Sequence, residues 1–265
     1  MKKSTINIVG KILLIGLLTT IVRIIGQLLI PAGTQDVLKP SVFVNNGIMP
    51  MVFTIYGILV YAIISFMFLL VKDKISGDRA MRGLKYSVSC CLVWVVYLLE
   101  PLPHVAFMDK FTYPIADSIA LLVLGSLSGL LLCENGKRNY EKTYKINVIS
   151  TIIITILFTI GRIIQYEVIG IYSSYADDKI GSIVWTVFVG FVLSLVLQWL
   201  NDKLLVTKPF IRPLLLGVVL FGVDLLLFNF FMPLVFDADI PDLIIRTCVD
   251  ISCATIGCFC LPKRK

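Results

Sequence analysis

Long apolar runs alternate with short polar segments along the whole chain. A helix that crosses a lipid bilayer needs about 20 consecutive apolar residues, and about eight runs of that length can be placed. Prolines stand near most of their ends, where a helix accommodates them best. The runs predict transmembrane helices over residues 6–30, 50–71, 84–100, 114–133, 146–168, 182–200, 213–236 and 241–261.

The composition is that of a membrane protein. Hydrophobic residues make up 58% of the chain and charged residues 15%, whereas soluble domains have about 45–50% apolar and about 25% charged residues. A soluble fold of 265 residues could not bury this much apolar surface, so lipid must cover part of it. We therefore predict an all-α, polytopic integral membrane protein whose main partner is the lipid bilayer.

The basic residues predict the orientation of the helices. Of the 24 lysines and arginines, 17 fall on one side of the predicted bilayer, three on the other and four within spans. Because basic loops stay in the cytoplasm, both termini are expected there. Topology then accounts for the net charge of +7, and no nucleic-acid partner is expected. The high isoleucine and lysine content and the absence of Asn-X-Ser/Thr sites favour a bacterial plasma membrane.

The two halves of the chain resemble each other. Thr20–Ile25 and Thr159–Ile164 share the pattern T-I-x-R-I-I, and arginine is rare inside a membrane span. Further matches keep the same order along both halves. We predict two four-helix repeats, residues 1–139 and 140–265. Because four is even, the repeats should be parallel and related by an axis along the membrane normal.

The repeated arginines, Arg23 and Arg162, need polar partners in the membrane. Asp117 and Asp242 begin the fourth and eighth predicted helices at a similar depth, and Glu100 ends the third. One interpretation is structural: an arginine–aspartate pair holds the first helix of each repeat to its fourth. The other is an arginine pair that binds an anionic substrate. Duplication in both halves favours the structural interpretation, because buried charges are usually paired.

Two aspartates near mid-membrane have no acidic counterpart in the first repeat: Asp224 and Asp250. Asp242, Arg246 and Asp250 are spaced four residues apart, so they share a helix face and Arg246 can pair with either aspartate. We expect Arg246 to compensate Asp250. Asp224 then has no partner on its own helix, which makes it the better candidate for a carboxyl that takes up a proton during a working cycle. All three residues are candidates for binding or coupling a substrate or ion.

The sequence holds few residues for catalysis or cofactor binding. The seven cysteines fall in apolar stretches without the spacing of a metal or redox site, and the one histidine, His104, lies in a predicted outer loop. No metal-binding, nucleophile or phosphate-loop motif occurs. We predict no cofactor and no metal, and favour a non-enzymatic role. Gly125 and Gly129 predict a close contact between two helices.

These observations favour a small permease that binds a small solute or ion between its two repeats. A membrane interaction protein, such as an immunity, sensory or assembly factor, is the first alternative, acting through a membrane partner or a second copy of the chain. An intramembrane aspartyl enzyme that uses Asp224 and Asp250 is the second. A polar cavity between the halves would favour transport, a packed interior the interaction protein, and two facing carboxyl groups beside a water path the enzyme.

The predicted topology can be tested by thiol labelling. Single cysteines in residues 72–85, 134–145 and 201–212, in a variant without native cysteines, should resist a membrane-impermeant maleimide in intact cells, because these segments hold 12 of the basic residues. They should react once the cells are opened. Labelling of residues 134–145 from outside would overturn the orientation.

Overall fold

A computed structural model describes residues 2–30, 38–102, 107–136 and 145–262. These residues are mostly helical, and they contain no β-strand beyond one isolated antiparallel bridge between Pro40 and Phe236. Eight long helical segments occupy the ranges that the apolar runs predict. They are α1 (Lys2–Leu29), α2 (Met49–Phe68), α3 (Arg79–Leu98), α4 (Asp109–Leu132), α5 (Val148–Ile164), α6 (Lys179–Lys203), α7 (Ile211–Val235) and α8 (Ile240–Cys258).

Two of the long segments include π-helical turns. After Ile164, α5 continues as a π-helix over Gln165–Ile169. Within α7, the segment Leu215–Val223 is π-helical, and regular α-helix resumes at Asp224. Such turns are rare and often lie at functional sites. Here they adjoin polar residues of the second half.

Six of the eight helices in the described part of the chain are long and apolar enough to cross a membrane: α1, α2, α4, α5, α6 and α7. Their lipid-compatible length and composition are those of a multi-pass membrane protein. The other two, α3 and α8, contain more charged and polar residues. Much of this polar surface is buried against other helices, as with Arg82 and Ser87 in α3 and Arg246 and Asp250 in α8.

Each half of the chain has the same pattern of helix neighbours. In the first half α1 packs on α2 and α4, and α4 packs on α3. In the second half α5 packs on α6 and α8, and α8 packs on α7. The halves meet where α3 packs on α6 and where α2 and α3 reach α7. Consequently α3 lies among helices of both halves.

Short polar side chains fix the starts of several helices. Asp78 accepts a hydrogen bond from the backbone N–H of Met81 at 2.8 Å at the start of α3. Asn147, Asp178 and Asp239 do the same at the starts of α5, α6 and α8. Each cap satisfies a backbone donor that the first helical turn leaves free. These residues therefore determine where the helices begin, at the edges of the apolar runs.

Basic side chains cap the other ends of helices. Lys72 Nζ donates to the carbonyl of Leu132 at the end of α4 (3.0 Å), and Lys74 Nζ donates to the carbonyl of Leu204 after α6 (2.9 Å). Arg82 Nε donates to the carbonyl of Lys72 (3.1 Å). Cations stabilise helix C-termini by satisfying the last carbonyls. We call this end of the bundle, where residues 69–78 lie, the basic end.

The closest helix contact joins α3 to α4. A Cβ atom on Gly83 would lie 1.9 Å from the carbonyl oxygen of Gly125, and one on Gly129 would lie 2.1 Å from that of Arg79. The backbones therefore touch, as small residues allow between membrane helices. The close contact predicted from Gly125 and Gly129 is confirmed.

Gly83→Ala should destabilise the protein, because the added methyl group would overlap the backbone of α4. Overpacking of this kind costs about 1–3 kcal/mol. The measurement is thermal unfolding in detergent, followed by fluorescence of the three tryptophans. Gly10→Ala is the matched control, because nothing lies within 4 Å of a Cβ atom there and alanine favours the helix. Equal melting temperatures for the two variants would contradict the contact.

Candidate functional site

One face of α3 carries polar and aromatic side chains toward the second half. Tyr86, Cys90, Trp94, Tyr97 and Glu100 are spaced three or four residues apart, so they lie on one side of the helix and its last turn. All five are buried. We call them the polar face of α3. Three of its members contact ionisable residues of α7 and α8.

Asp224 lies in the middle of α7 and is only 1% exposed. Its Oδ1 accepts a hydrogen bond from the indole Nε1 of Trp94 at 3.0 Å, and Trp94 is its one hydrogen-bond donor among the described residues. A small cavity of about 10 Å³, measured for the centre of a water-sized sphere, adjoins the carboxyl group and is lined by Tyr86, Cys90 and Leu220 among others. That volume holds about one water molecule.

Asp250 lies in the middle of α8 and has three hydrogen-bond donors. Its Oδ2 accepts from Arg162 Nη2 at 2.6 Å and from the hydroxyl of Tyr97 at 3.0 Å, and its Oδ1 accepts from Gln165 Nε2 at 2.8 Å. Both Asp250 and Arg162 are 1% exposed. The pair is therefore a buried ion pair whose carboxylate is well satisfied, and Tyr97 extends it to the first half.

Arg246 does not pair with Asp250, and that expectation was wrong. It lies one helical turn closer to the start of α8, where it donates to the carbonyl of Tyr172 and to Asp242 (3.2 Å) and lies 3.8 Å from Glu100. Its partners thus come from a loop (Tyr172), from the residue after α3 and its cap (Glu100) and from α8 itself (Asp242).

The expectation that Arg162 pairs with Asp242 was also wrong. The close contact of α5 with α8 sets the level of the arginine, since a Cβ atom on Gly161 would lie 2.4 Å from Cys253 Sγ. Cys253 is less than one turn from Asp250 and three turns from Asp242. Arg162 therefore forms its ion pair with Asp250. Asp242 instead pairs with Arg246 and accepts a hydrogen bond from the backbone N–H of Tyr172.

In the first half, Arg23 forms the expected ion pair with Asp117 and joins α1 to α4. Its Nη1 also donates to Gln27 Oε1 at 2.8 Å. Both charged residues are buried. With its carboxylate and glutamine partners in place, Arg23 supports the structural interpretation better than an anion site.

An aromatic cluster separates the two carboxyl groups of the second half. The ring of Phe228 lies 5.2 Å from that of Trp94 and 6.2 Å from that of Tyr97, centre to centre. Asp224 and Asp250 thus have different partners on either side of this cluster. An aspartyl dyad shares one proton between adjacent carboxyl groups, and the observed contacts do not provide that arrangement.

Five buried polar atoms around Asp250 have no hydrogen-bond partner in the described residues. They are Glu100 Oε1, Arg162 Nε, Arg162 Nη1, Gln165 Oε1 and Arg246 Nε. The carboxylate of Glu100 also lies near enough to Arg162 to act on it electrostatically. We call Glu100, Arg162, Gln165, Arg246 and Asp250 the polar cluster. It extends from the middle of α8 toward the end of the bundle opposite to the basic end.

Sequence reasoning missed Trp94, Tyr97 and Gln165, which hold the two aspartates. Their signal in the sequence is weak: two aromatic residues three positions apart in a span, and a glutamine three positions after the repeated arginine. Aromatic and amide side chains in a span have many structural uses, so nothing in the sequence assigns them to Asp224 or Asp250. His104 lies outside the described residues.

Asp250→Asn should destabilise the protein strongly, because it leaves the Arg162 guanidinium buried without its counter-ion. Breaking one side of a buried ion pair costs about 3–5 kcal/mol. Thermal unfolding in detergent measures the effect, and Asp237→Asn, at an exposed aspartate in the connection between α7 and α8, is the control with the same chemical change. Adding Arg162→Gln to Asp250→Asn should recover part of the loss. Independent, additive effects of the two changes would argue against the pair.

The comparisons with known proteins do not assign the chain to a family. No protein-family model, no curated protein and no solved structure matches it.

Proposed function

We propose that the chain is a small permease that spans the plasma membrane eight times as two parallel four-helix repeats. Asp224 would be the carboxyl group that couples transport to proton movement. Both termini would lie in the cytoplasm, so that the basic end of the bundle is the cytoplasmic end. The six apolar helices and the repeated pattern of helix neighbours support this architecture.

The crossing of the first two helices in each half supports the repeat. A Cβ atom on Gly16 of α1 would lie 2.5 Å from the carbonyl oxygen of Ile58 in α2. If Arg23 is aligned with Arg162, Gly16 falls on Thr155 of α5. If Thr54 of α2 is aligned with Thr186 of α6, Ile58 falls on Gly190. A Cβ atom on Gly190 would lie 3.1 Å from Thr155. The two helices thus cross closely at the same point in both halves. The small residue lies in α1 in the first half (Gly16) and in α6 in the second half (Gly190).

The surroundings of α3 and α8 support two further spans. α3 packs between α4 and α6, and α8 packs between α5 and α7. Their charged residues in the bundle, such as Asp250 and Arg246, have protein partners. Polar residues in membrane helices are tolerated when they face the bundle interior and pair there. Neither helix therefore needs the apolar composition that a lipid-facing span requires.

The burial of Asp224 between the halves is the observation that carries the proposal. Its hydrogen-bond donor, Trp94, belongs to the first half, and Asp224 belongs to the second. A buried carboxylate without a counter-ion is costly, so the neutral form is favoured there. Parallel-repeat transporters bind substrates and coupling ions at the contact between their repeats near mid-membrane. A movement of the halves that admits water would change the protonation of Asp224.

The alternative, a membrane interaction protein, is favoured by the small cavity beside Asp224. About 10 Å³ admits a water molecule and no larger solute. A permease must therefore rearrange α7 or its neighbours to work, whereas an interaction protein need not. A direct flux measurement separates the two functions.

Proton flux into liposomes tests the permease. The purified protein is reconstituted with a pH-sensitive dye inside, and a pool of amino acids, organic acids, sugars and inorganic salts is added outside at a fixed pH gradient. We expect the pool to change the internal pH faster than in protein-free liposomes. Asp224→Asn should reduce the rate to that background, because an amide cannot carry the proton. Its thermal unfolding should stay close to that of the wild type.

Asp237→Asn is the matched control, because Asp237 is exposed in the connection between α7 and α8. It should leave the flux unchanged. A wild-type flux equal to that of protein-free liposomes would refute the permease and favour the interaction protein. An undiminished flux in Asp224→Asn would refute the coupling role of this carboxyl group.

A further inference from the structure

The polar cluster contains hydrogen-bonding capacity that the protein itself does not use. Buried polar atoms in native proteins are nearly all satisfied, by protein, water or ligand. In the described residues, three N–H donors of arginines and two carboxyl or amide oxygens remain unpaired within this cluster. The four residues that bear them are each at least nine-tenths buried. Such a concentration indicates a site for a polar molecule.

The unpaired atoms define what such a molecule must offer. Arg162 Nε, Arg162 Nη1 and Arg246 Nε need acceptors, which a carboxylate supplies best. Glu100 Oε1 and Gln165 Oε1 need donors, which an ammonium group supplies. One ligand can satisfy both sets only if it offers acceptors and donors together.

The charge of the cluster leads to the same ligand. With Asp242 included, two guanidinium groups face three carboxylates, Glu100, Asp242 and Asp250, which leaves one net negative charge when all are ionised. A simple anion would add to that charge. A simple cation would leave the arginine donors unpaired. A zwitterion adds no net charge and meets both needs.

Aromatic rings enclose one side of the site. The guanidinium carbon of Arg162 lies 5.2 Å from the ring centre of Trp185 and 5.5 Å from that of Tyr97. The rings fix the guanidinium group by cation–π contacts and exclude water, which strengthens its hydrogen bonds. Arg162 is thus held in place by Asp250 and the rings while two of its N–H groups remain available.

We propose that the polar cluster binds a small zwitterion that carries one carboxylate and one ammonium group, such as a short amino acid. Arg162 and Arg246 contact its carboxylate, and Glu100 and Gln165 contact its ammonium group. The site lies between the middle of α8 and the end of the bundle opposite to the basic end, beside the ends of α3 and α5. This proposal gives the substrate class of the proposed permease. Only the claim that the ligand is transported rests on the proposed function, because binding can be measured by itself.

Thermal unfolding of the purified protein with defined probes tests the site. The zwitterions are glycine, β-alanine and 4-aminobutyrate, and the singly charged analogues are acetate, propionate, butyrate and the matching alkylamines. A ligand that binds the native state raises the melting temperature. We expect at least one zwitterion to raise it in a saturable way, and its two singly charged analogues to have no effect at the same concentration. If no zwitterion raises the melting temperature more than its analogues do, the proposal is refuted. That conclusion needs the wild-type protein only.

Glu100→Gln should weaken binding of the active zwitterion about tenfold, because the glutamine oxygen is uncharged and its hydrogen bond to the ammonium group is weaker. Glu134→Gln makes the same chemical change at an exposed carboxylate after α4 and should bind like the wild type. Equal affinity in Glu100→Gln and the wild type would refute the assigned contact.

The flux and binding experiments fail in different ways. Zwitterion binding without any flux would leave the site intact and refute the permease. Flux driven by sugars or inorganic ions, with no zwitterion binding, would support the permease and refute this substrate class. Flux driven by the zwitterion that raises the melting temperature, and lost in Glu100→Gln at subsaturating concentration, would support both.

Discussion

The ion pair between Arg162 and Asp250 ties α5 to α8, and much of the second half is arranged around it. An isolated charge in a low-dielectric interior is very costly, so each member of the pair depends on the other and on further hydrogen bonds. Gln165 and Tyr97 supply those bonds, and three aromatic rings surround the guanidinium group. Because Tyr97 belongs to α3, the same pair also fixes how the two halves meet. The polar cluster exists because this arrangement satisfies Asp250 fully and Arg162 only in part.

The contact between α3 and α4 in the first half differs from the contact between α7 and α8 in the second half. In the first half, the contact of α4 with α3 depends on glycines, and Gly125 brings the backbones together. If Asp117 is aligned with Asp242 as the proposed repeat requires, Gly125 falls on Asp250, whose carboxylate pairs with Arg162 instead. α7 is π-helical over Leu215–Val223, whereas α3 is a regular α-helix. The second half keeps a close contact between α7 and α8, since a Cβ atom on Gly217 would lie 2.4 Å from the Cα atom of Thr255. It adds buried polar groups, and the proposed working residues lie among them.

The sequence predicts the helices well because apolar length is a local property. All eight segments, and the contact through Gly125 and Gly129, follow from residues close together in the chain. The ion pair of Arg23 with Asp117 was also predictable, since few partners exist at that depth. The partner of Asp250 was not, because the contact of Gly161 with Cys253 sets the level of α5 against α8, and many apolar contacts would look alike in the sequence. The π-helical turns and the choice of Trp94 and Tyr97 depend on the same three-dimensional fit.

The lysines that cap helices at the basic end have two tasks at different times. In the proposed topology, the ammonium groups of Lys72 and Lys74 would hold their loop in the cytoplasm while the chain enters the membrane. In the folded bundle the same groups bind the carbonyls of Leu132 and Leu204. The residues that would direct insertion are thus part of the folded bundle. Biogenesis and final stability are therefore coupled at these positions, and a neutral substitute that preserved the caps could still misdirect the growing chain.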